Sequence, residues 1–308
     1  MDIKRLDHLR QAVEAGSISA AALRLGLSQP ALTKSIRILE QELGVPLLER
    51  RARGVVPTAY GVALLRRAAP VTVLLSDALR EIAALRGGPP AEAAIGAGPT
   101  WLREKLPDAI AATIAADPTA RIRLQAGYDD ALLRALRSGA LDAVLAELPA
   151  VEEASDLALL QLAEDDFVVG CRRGHPLVRS VVQAETLLGF PWVLPPSPSR
   201  ARARLGALFA ARGLAPPDPA LETESTDMLL RVIAGSDALC FQVRSALDAP
   251  DAAGLTTLRV PSLAATRRTG IMVRRGSWLP PLTRQLLTRL AAACGVAIPD
   301  GYGADAES

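Results

Sequence analysis

Ser17-Ile18-Ser19-Ala20-Ala21-Ala22-Leu23-Arg24-Leu25-Gly26-Leu27-Ser28-Gln29-Pro30-Ala31-Leu32-Thr33-Lys34-Ser35-Ile36-Arg37 is the stretch that decides the reading of this 308-residue chain. Ser17 or Ser19 can cap a short helix over 20–25, Gly26 stops it, and Ser28 caps a second helix running to about Leu43. Pro30 falls in the first turn of that second helix, where a missing N–H costs nothing. Ala20, Ala21 and Ala22 are small enough to let the two helices approach closely. The spacing predicts a helix-turn-helix.

The second helix has two faces. Leu32, Ile36, Leu39 and Leu43 recur at helical spacing and form its expected buried side. Gln29, Thr33, Lys34 and Arg37 lie on the polar side. Such a helix fits the DNA major groove with its N-terminal residues nearest the base edges. Glutamine can read adenine through two hydrogen bonds, threonine can meet a thymine methyl, and lysine or arginine can reach guanine or phosphate. An ordinary pair of packed helices with a solvated polar face would show the same pattern.

Working outward, Leu6, Leu9 and Val13 mark an earlier helix that Gly16 ends. Beyond Gly44, Pro46–Glu49 and Val55–Val56 read as the arms of a short hairpin around Arg50-Arg51-Ala52-Arg53-Gly54. Three arginines there suit a wing that enters the minor groove or grips phosphate, although arginine runs are more often simply solvated. Thr58 can cap a long helix to about Arg86. Its apolar positions Leu64, Ala68, Val71, Leu75, Ala78, Ile82 and Leu85 alternate steps of four and three, a seam suited to a partner helix. Pro70 should kink it. Gly87-Gly88-Pro89-Pro90 is a breaker and a hinge candidate.

Charge follows the same division. Residues 1–86 carry 13 Lys and Arg against 8 Asp and Glu, a net of +5, whereas the remaining 222 residues carry 22 against 25, a net of −3. A basic head on a slightly acidic body points to a polyanion at the head.

After residue 90 strands and helices alternate. Strands are expected at 93–97, 120–126, 141–146, 166–171, 192–194, 238–242, 255–260 and 270–273. Helices are expected at 104–116, 129–138, 200–212, 226–234 and 281–293. The rhythm argues for α/β with a largely parallel or mixed sheet, long enough for two lobes and a cleft. The polar stretch 300–308 reads as a disordered tail.

Residues 1–86 resemble the DNA-binding domain and linker helix of LysR-type transcriptional regulators. The matching stretches are Leu6-x-x-Leu9, Gly16-Ser17-Ile18-Ser19-x-Ala21-Ala22, Leu27-Ser28-Gln29-Pro30-Ala31-Leu32-Thr33, Ile36-x-x-Leu39-Glu40, Leu43-Gly44-x-x-Leu47, Arg50 and Pro57-Thr58-x-x-Gly61. Leu48 and Tyr60 depart from the family's usual Phe and Ala, at apolar packing sites. More weakly, Leu106-Pro107, Leu136-x-Ser138-Gly139-x-Leu141-Asp142 and Gly174-His175-Pro176-Leu177 extend the likeness through the body.

The resemblance implies a winged helix-turn-helix over 1–60, a linker and dimerisation helix over 58–88, and a two-lobed, periplasmic-binding-protein-like effector domain over 91–299. Lobe I is expected at about 91–163 and 268–299, lobe II at about 164–267. It implies that Gln29, Pro30, Thr33 and Lys34 meet bases, with Ser28, Arg37, Arg50, Arg51 and Arg53 completing the DNA surface. The implied partners are a dyad-symmetric double-stranded operator, a second copy or three further copies of the chain, and a small effector. RNA polymerase is a further candidate. The stretch from Arg53 to Gly61 is similar to the galactose-binding-protein regulator subgroup, suggesting a sugar or an organic acid.

The effector residues follow from position. Ligands in such folds meet strand ends and helix N-termini in the interlobe cleft. Gly98, Pro99 and Thr100 follow the first strand, Tyr128 follows the second, and Ser197 and Ser199 precede a helix of the other lobe. The two serines could equally be turn formers and caps.

An enzyme is the main rival. Only two histidines exist, His8 and His175, and no nucleophile elbow, phosphate loop or zinc spacing appears. Gly96-Ala97-Gly98 begins a dinucleotide fingerprint, but Trp101 stands at its third glycine. No cofactor is expected. Cys171, Cys240 and Cys294 are scattered, which fits a reducing cytoplasm and buried apolar roles. The N-terminus has no apolar signal core and no run approaches a membrane span, which argues against a secreted solute-binding protein and for a cytoplasmic location.

Overall fold

The computed structural model describes residues 2–51, 54–87, 92–103, 105–299 and 301–302. The chain forms two compact units, Met1–Gly88 and Pro89–Ser308.

The first unit is built by side-chain caps and glycine stops. Helix α1 (Ile3–Ala15) starts where the Asp2 carboxylate accepts from Lys4 N, and ends at Gly16 with φ 61°. Helix α2 (Ile18–Arg24) is capped by Ser17, and α3 (Gln29–Leu43) by Ser28, whose hydroxyl accepts from Ala31 N at 3.3 Å. Each cap satisfies an amide that the first turn leaves open, and is worth about 1 kcal/mol. Leu6, Leu9, Ala12, Ala21, Ala22, Leu32, Ile36, Leu39 and Leu47 close into one core. Leu43 differs from expectation. It is 40% exposed, because it sits in the last turn of α3, past the end of that core.

Strands β1 (Leu48–Arg51) and β2 (Gly54–Pro57) pair antiparallel. The Glu40 carboxylate on α3 accepts from Leu47 N at 2.8 Å and Leu48 N at 3.2 Å, which fixes where the hairpin leaves the helix. Helix α4 (Ala59–Leu85) follows, capped by Thr58, and Pro70 lies within it without ending it. Of its predicted seam, Ala68 joins the head's core, whereas Val71, Leu75, Ile82 and Leu85 are exposed on the chain. Of the 87–90 breaker, Gly87 is described, with φ 72°, and 88–90 lie outside the described residues.

The second unit contains β3 (Ala93–Ala97), α5 (Pro99–Arg103), α6 (Lys105–Ala116), β4 (Ile122–Ala126), α7 (Asp129–Arg137) and β5 (Ala143–Glu147). The long β6 (Leu157–Arg172) comes next, then α8 (Ala184–Leu187), β7 (Trp192–Leu194), α9 (Arg200–Ala210), β8 (Pro219–Glu222), α10 (Thr226–Ala234) and β9 (Leu239–Val243). Helix α11 (Arg244–Asp248), β10 (Leu255–Thr257), β11 (Ala265–Arg274) and α12 (Pro281–Ala293) complete it. Among the described residues these strands form one mixed sheet in the order β4-β3-β5-β11-β6-β9-β7-β8, with β10 beside β6. Pairing is parallel around β3 and around β7, and antiparallel along β6 and β11.

That topology makes two lobes. Ile95, Leu106, Leu145, Ile271, Leu286 and Leu290 pack on one face of the β3–β4–β5 part, and Leu132, Leu136, Val144 and Met272 on the other. Separate clusters around Phe167, Trp192, Phe209 and Phe241, and around Val193, Leu229, Ile233 and Cys240, fill the β7–β8–β9 part. Strands β6 and β11 run through both lobes, with a register shift between Thr269 and Gly270. A side chain at Gly270 would place Cβ 2.0 Å from the Leu160 carbonyl oxygen, so the close crossing requires glycine.

Three sequence expectations need correction here. Strand β6 begins at Leu157, nine residues before the expected 166, because the charged run Glu164-Asp165-Asp166 hides a strand whose partner is β11. Helix begins at Pro99, five residues before the expected 104, with residue 104 itself outside the described residues. Tyr302, placed in the expected disordered tail, is buried, and its hydroxyl lies within hydrogen-bond distance of the carbonyls of Ala158 (3.0 Å) and Ile271 (2.9 Å). The rest of that tail, residue 300 and residues 303–308, lies outside the described residues.

Candidate functional site

Two surfaces carry the chemistry, one in each unit. In the first, Ser28, Gln29, Pro30, Lys34 and Arg37 are exposed, and Thr33 is half-buried beside them. Pro30, Lys34 and Arg37 lie on the side of α3 opposite Leu32, Ile36 and Leu39, which are at most 3% exposed, while Ser28 and Gln29 are open because they stand at the helix's N-terminal end. This division follows from the 3.6-residue repeat. Ser35 is held from behind by His8 on α1, Nδ1 to Oγ 2.7 Å, so α1 braces the helix without using its polar face.

Arg50 and Arg51 are exposed on β1, where Arg51 Nε stands 3.6 Å from Glu49 Oε1. Arg53 lies outside the described residues. The hairpin is anchored next to its turn, because Val55 N donates to Gly16 O at 2.9 Å.

In the second unit a cavity opens between the lobes. Gly98, Pro99, Thr100, Tyr128 and Ser199 line it, so the structure brings five of the six expected effector residues together. Ser197 is not among the lining residues and is exposed. It sits two residues before Ser199 in the turn that leads into α9, on the solvent side. Ser199 does double duty, since its Oγ also accepts from Arg202 N at 3.2 Å as the cap of α9.

Sequence reasoning missed several lining residues. Glu147 ends β5, Phe167 lies on β6, Gln242 on β9, and Arg267 and Thr269 on β11. Arg267 Nη2 donates to Thr100 Oγ1 at 2.8 Å. Trp101 Nε1 donates to Thr269 Oγ1 at 2.8 Å, and that hydroxyl donates to Ala146 O at 2.9 Å. No local motif marks these residues. They meet because β5, β6 and β11 are neighbours in the sheet.

Residues 3–62 match the family model for the bacterial regulatory helix-turn-helix protein, lysR family, and residues 86–295 match that for the LysR substrate binding domain. The chain belongs to the LysR family. Among curated LysR relatives, it is 30% identical over 296 residues to the HTH-type transcriptional regulator GbpR of Azospirillum brasilense, covering 94% of this chain and 86% of that one. It is 32% identical over 288 residues to the HTH-type transcriptional regulator GalR of Pseudomonas putida, covering 92% and 72%. Among solved structures, a full-length single-substitution variant of OxyR from Pseudomonas aeruginosa shares the fold, with a TM-score of 0.64, 21% identity and coverage of 96% and 95%. The LysR-family regulator CbnR aligns with a TM-score of 0.56, 24% identity and coverage of 96% and 99%. The protein is thus a LysR-type, DNA-binding transcriptional regulator with an effector-binding domain, and its relatives are regulators rather than enzymes. Among the described residues no helix is long and apolar enough to cross a membrane.

Proposed function

We propose that α3 enters the major groove with Gln29, Pro30, Thr33 and Lys34 at the base edges. Ser28 and Arg37 lie beside them, and Arg50, Arg51 and Arg53 meet phosphates or the adjacent minor groove. The observation that carries this reading is the division of α3, whose apolar side is fully packed while its polar side stands open to solvent. The groups on that open face match base edges and phosphates.

The exposed run Val71, Leu75, Ile82 and Leu85 along α4 suits a partner helix. It supports a homodimer or homotetramer, and with it a dyad-symmetric operator. The effector, a sugar or organic acid, sits in the interlobe cavity against Gly98, Pro99, Thr100, Tyr128 and Ser199. The protein works in the cytoplasm.

The experiment is a mobility shift with DNA from upstream of the protein's own gene, repeated at raised salt and with competitor DNA. Retarded complex that survives competitor supports the reading, and retardation lost equally to any DNA overturns it.

A further inference from the structure

We propose that the ion pair between Glu147 and Arg204 is a latch that holds the two lobes together, and that an effector acts by changing its engagement. This regulation rests on the cavity's being the effector site.

Glu147 is the last residue of β5 in the first lobe, and Arg204 lies on α9 in the second. The guanidinium grips the carboxylate with two nitrogens, Nη2 to Oε1 at 2.6 Å and Nη1 to Oε2 at 3.3 Å. Paired forks of this kind are directional as well as strong. The guanidinium also lies over the Phe167 ring, 4.8 Å from its centroid, which holds it in place when the carboxylate moves.

Other contacts cross the cleft. Arg103 pairs with Asp251 and stands 3.6 Å from Asp227, and the Tyr128 hydroxyl donates to Glu224 O at 3.0 Å. Burial decides which of these matters most. The Asp251 and Asp227 side chains are 59% and 78% exposed, so water and salt screen their attraction. The Glu147 side chain is 8% exposed. Taking Arg204 away with the lobes closed would leave a carboxylate buried and uncompensated, which is costly, so the closed arrangement depends on this pair.

Glu147 is also on the cavity wall, beside Gly98, Thr100 and Ser199. A ligand hydroxyl competes with Arg204 for Glu147, and a ligand carboxylate competes with Glu147 for Arg204. Either exchange alters the bond that joins the lobes, so occupancy and lobe orientation share one free energy.

The test is amide hydrogen exchange on the full-length protein, comparing the wild type with Glu147→Gln, Arg204→Gln, Asp251→Asn and the exchanged pair Glu147→Arg/Arg204→Glu. Each latch variant is expected to speed exchange at 98–103 and 242–247 by on the order of tenfold or more, with 3–43 unchanged. Asp251→Asn should stay within about twofold. The exchanged pair should return the cleft toward the wild-type rate. Unchanged cleft exchange in Glu147→Gln overturns the proposal. So does acceleration spread evenly over the whole second unit, or an exchanged pair as fast as the single variants. Effector binding at the cavity is scored separately, by thermal shift of the wild type and Thr100→Val against metabolites, so its failure would remove the effector-site reading and leave the exchange result to judge the latch alone.

Discussion

The amide of Val55 donates to the carbonyl oxygen of Gly16 at 2.9 Å, so the wing hairpin is bonded to the turn that ends the first helix. That one bond sets where Arg50 and Arg51 stand relative to α3. Gly54, one residue earlier, has φ 130°, and a Cβ there would lie 2.0 Å from the same carbonyl oxygen. Gly54→Ala should push the hairpin off its anchor, weakening DNA binding about tenfold or more at a stability cost of about 1–3 kcal/mol. Anisotropy of labelled operator DNA and a thermal melt check both.

Lys34 is exposed on the polar side of α3. Lys34→Ala should weaken operator binding with the fold intact and, where the ammonium meets phosphate, lower the slope of log affinity against log salt by about one. A salt titration of wild type and variant measures it.

Thr100 accepts from Arg267 on the cavity wall. Thr100→Val keeps the shape and removes the hydroxyl. It should reduce effector affinity roughly tenfold while leaving effector-free DNA binding unchanged. Thermal-shift screening of the protein against metabolites finds a ligand first, because ligand raises apparent stability by mass action. Calorimetry then compares the variant.

Burial pushes the Cys240 thiol up to about 12 and the Cys171 thiol up to about 11. Both favour the neutral form in the folded state, so their contribution is intact below the ordinary thiol value near 9 and is lost as pH rises from there toward 11–12. Stability should therefore fall above about pH 9, and Cys171→Ser/Cys240→Ser should flatten that fall. Denaturant melts across about pH 8–11 test it. In the native protein at neutral pH, half-buried Cys294 should alkylate well before either of them.

The head was almost wholly legible in the sequence, because its signals are local. A capping serine, a stop glycine and an apolar repeat each act within a few residues, and Ser17, Ser28, Gly16 and Gly44 all do what their types predict. Leu43 misled because periodicity carries no information on where a core ends. In the body, short strands flanked by Gly and Pro were readable. The first half of β6 was not, since the charged run that follows it is held by polar partners rather than a core: Asp166 accepts from Thr266 Oγ1 on β11 at 2.8 Å, and Asp165 accepts from Ser245 on α11. Thr100, Tyr128 and Ser199 could be found from strand ends and helix starts. Glu147 and Arg267 on the cavity wall, and Arg204 paired with Glu147, could not, because only the tertiary fold brings residues 57 or more apart together.

The central claim is that the open face of α3 reads DNA. Its most direct measurement is anisotropy of a labelled duplex from upstream of the protein's own gene. Wild-type protein is compared with the double variant Gln29→Ala/Lys34→Ala against operator and scrambled duplexes at fixed salt. The account predicts that wild type prefers the operator by at least about a thousandfold and that the variant loses most of that preference while melting at the wild-type temperature. A variant that keeps the full preference would contradict it.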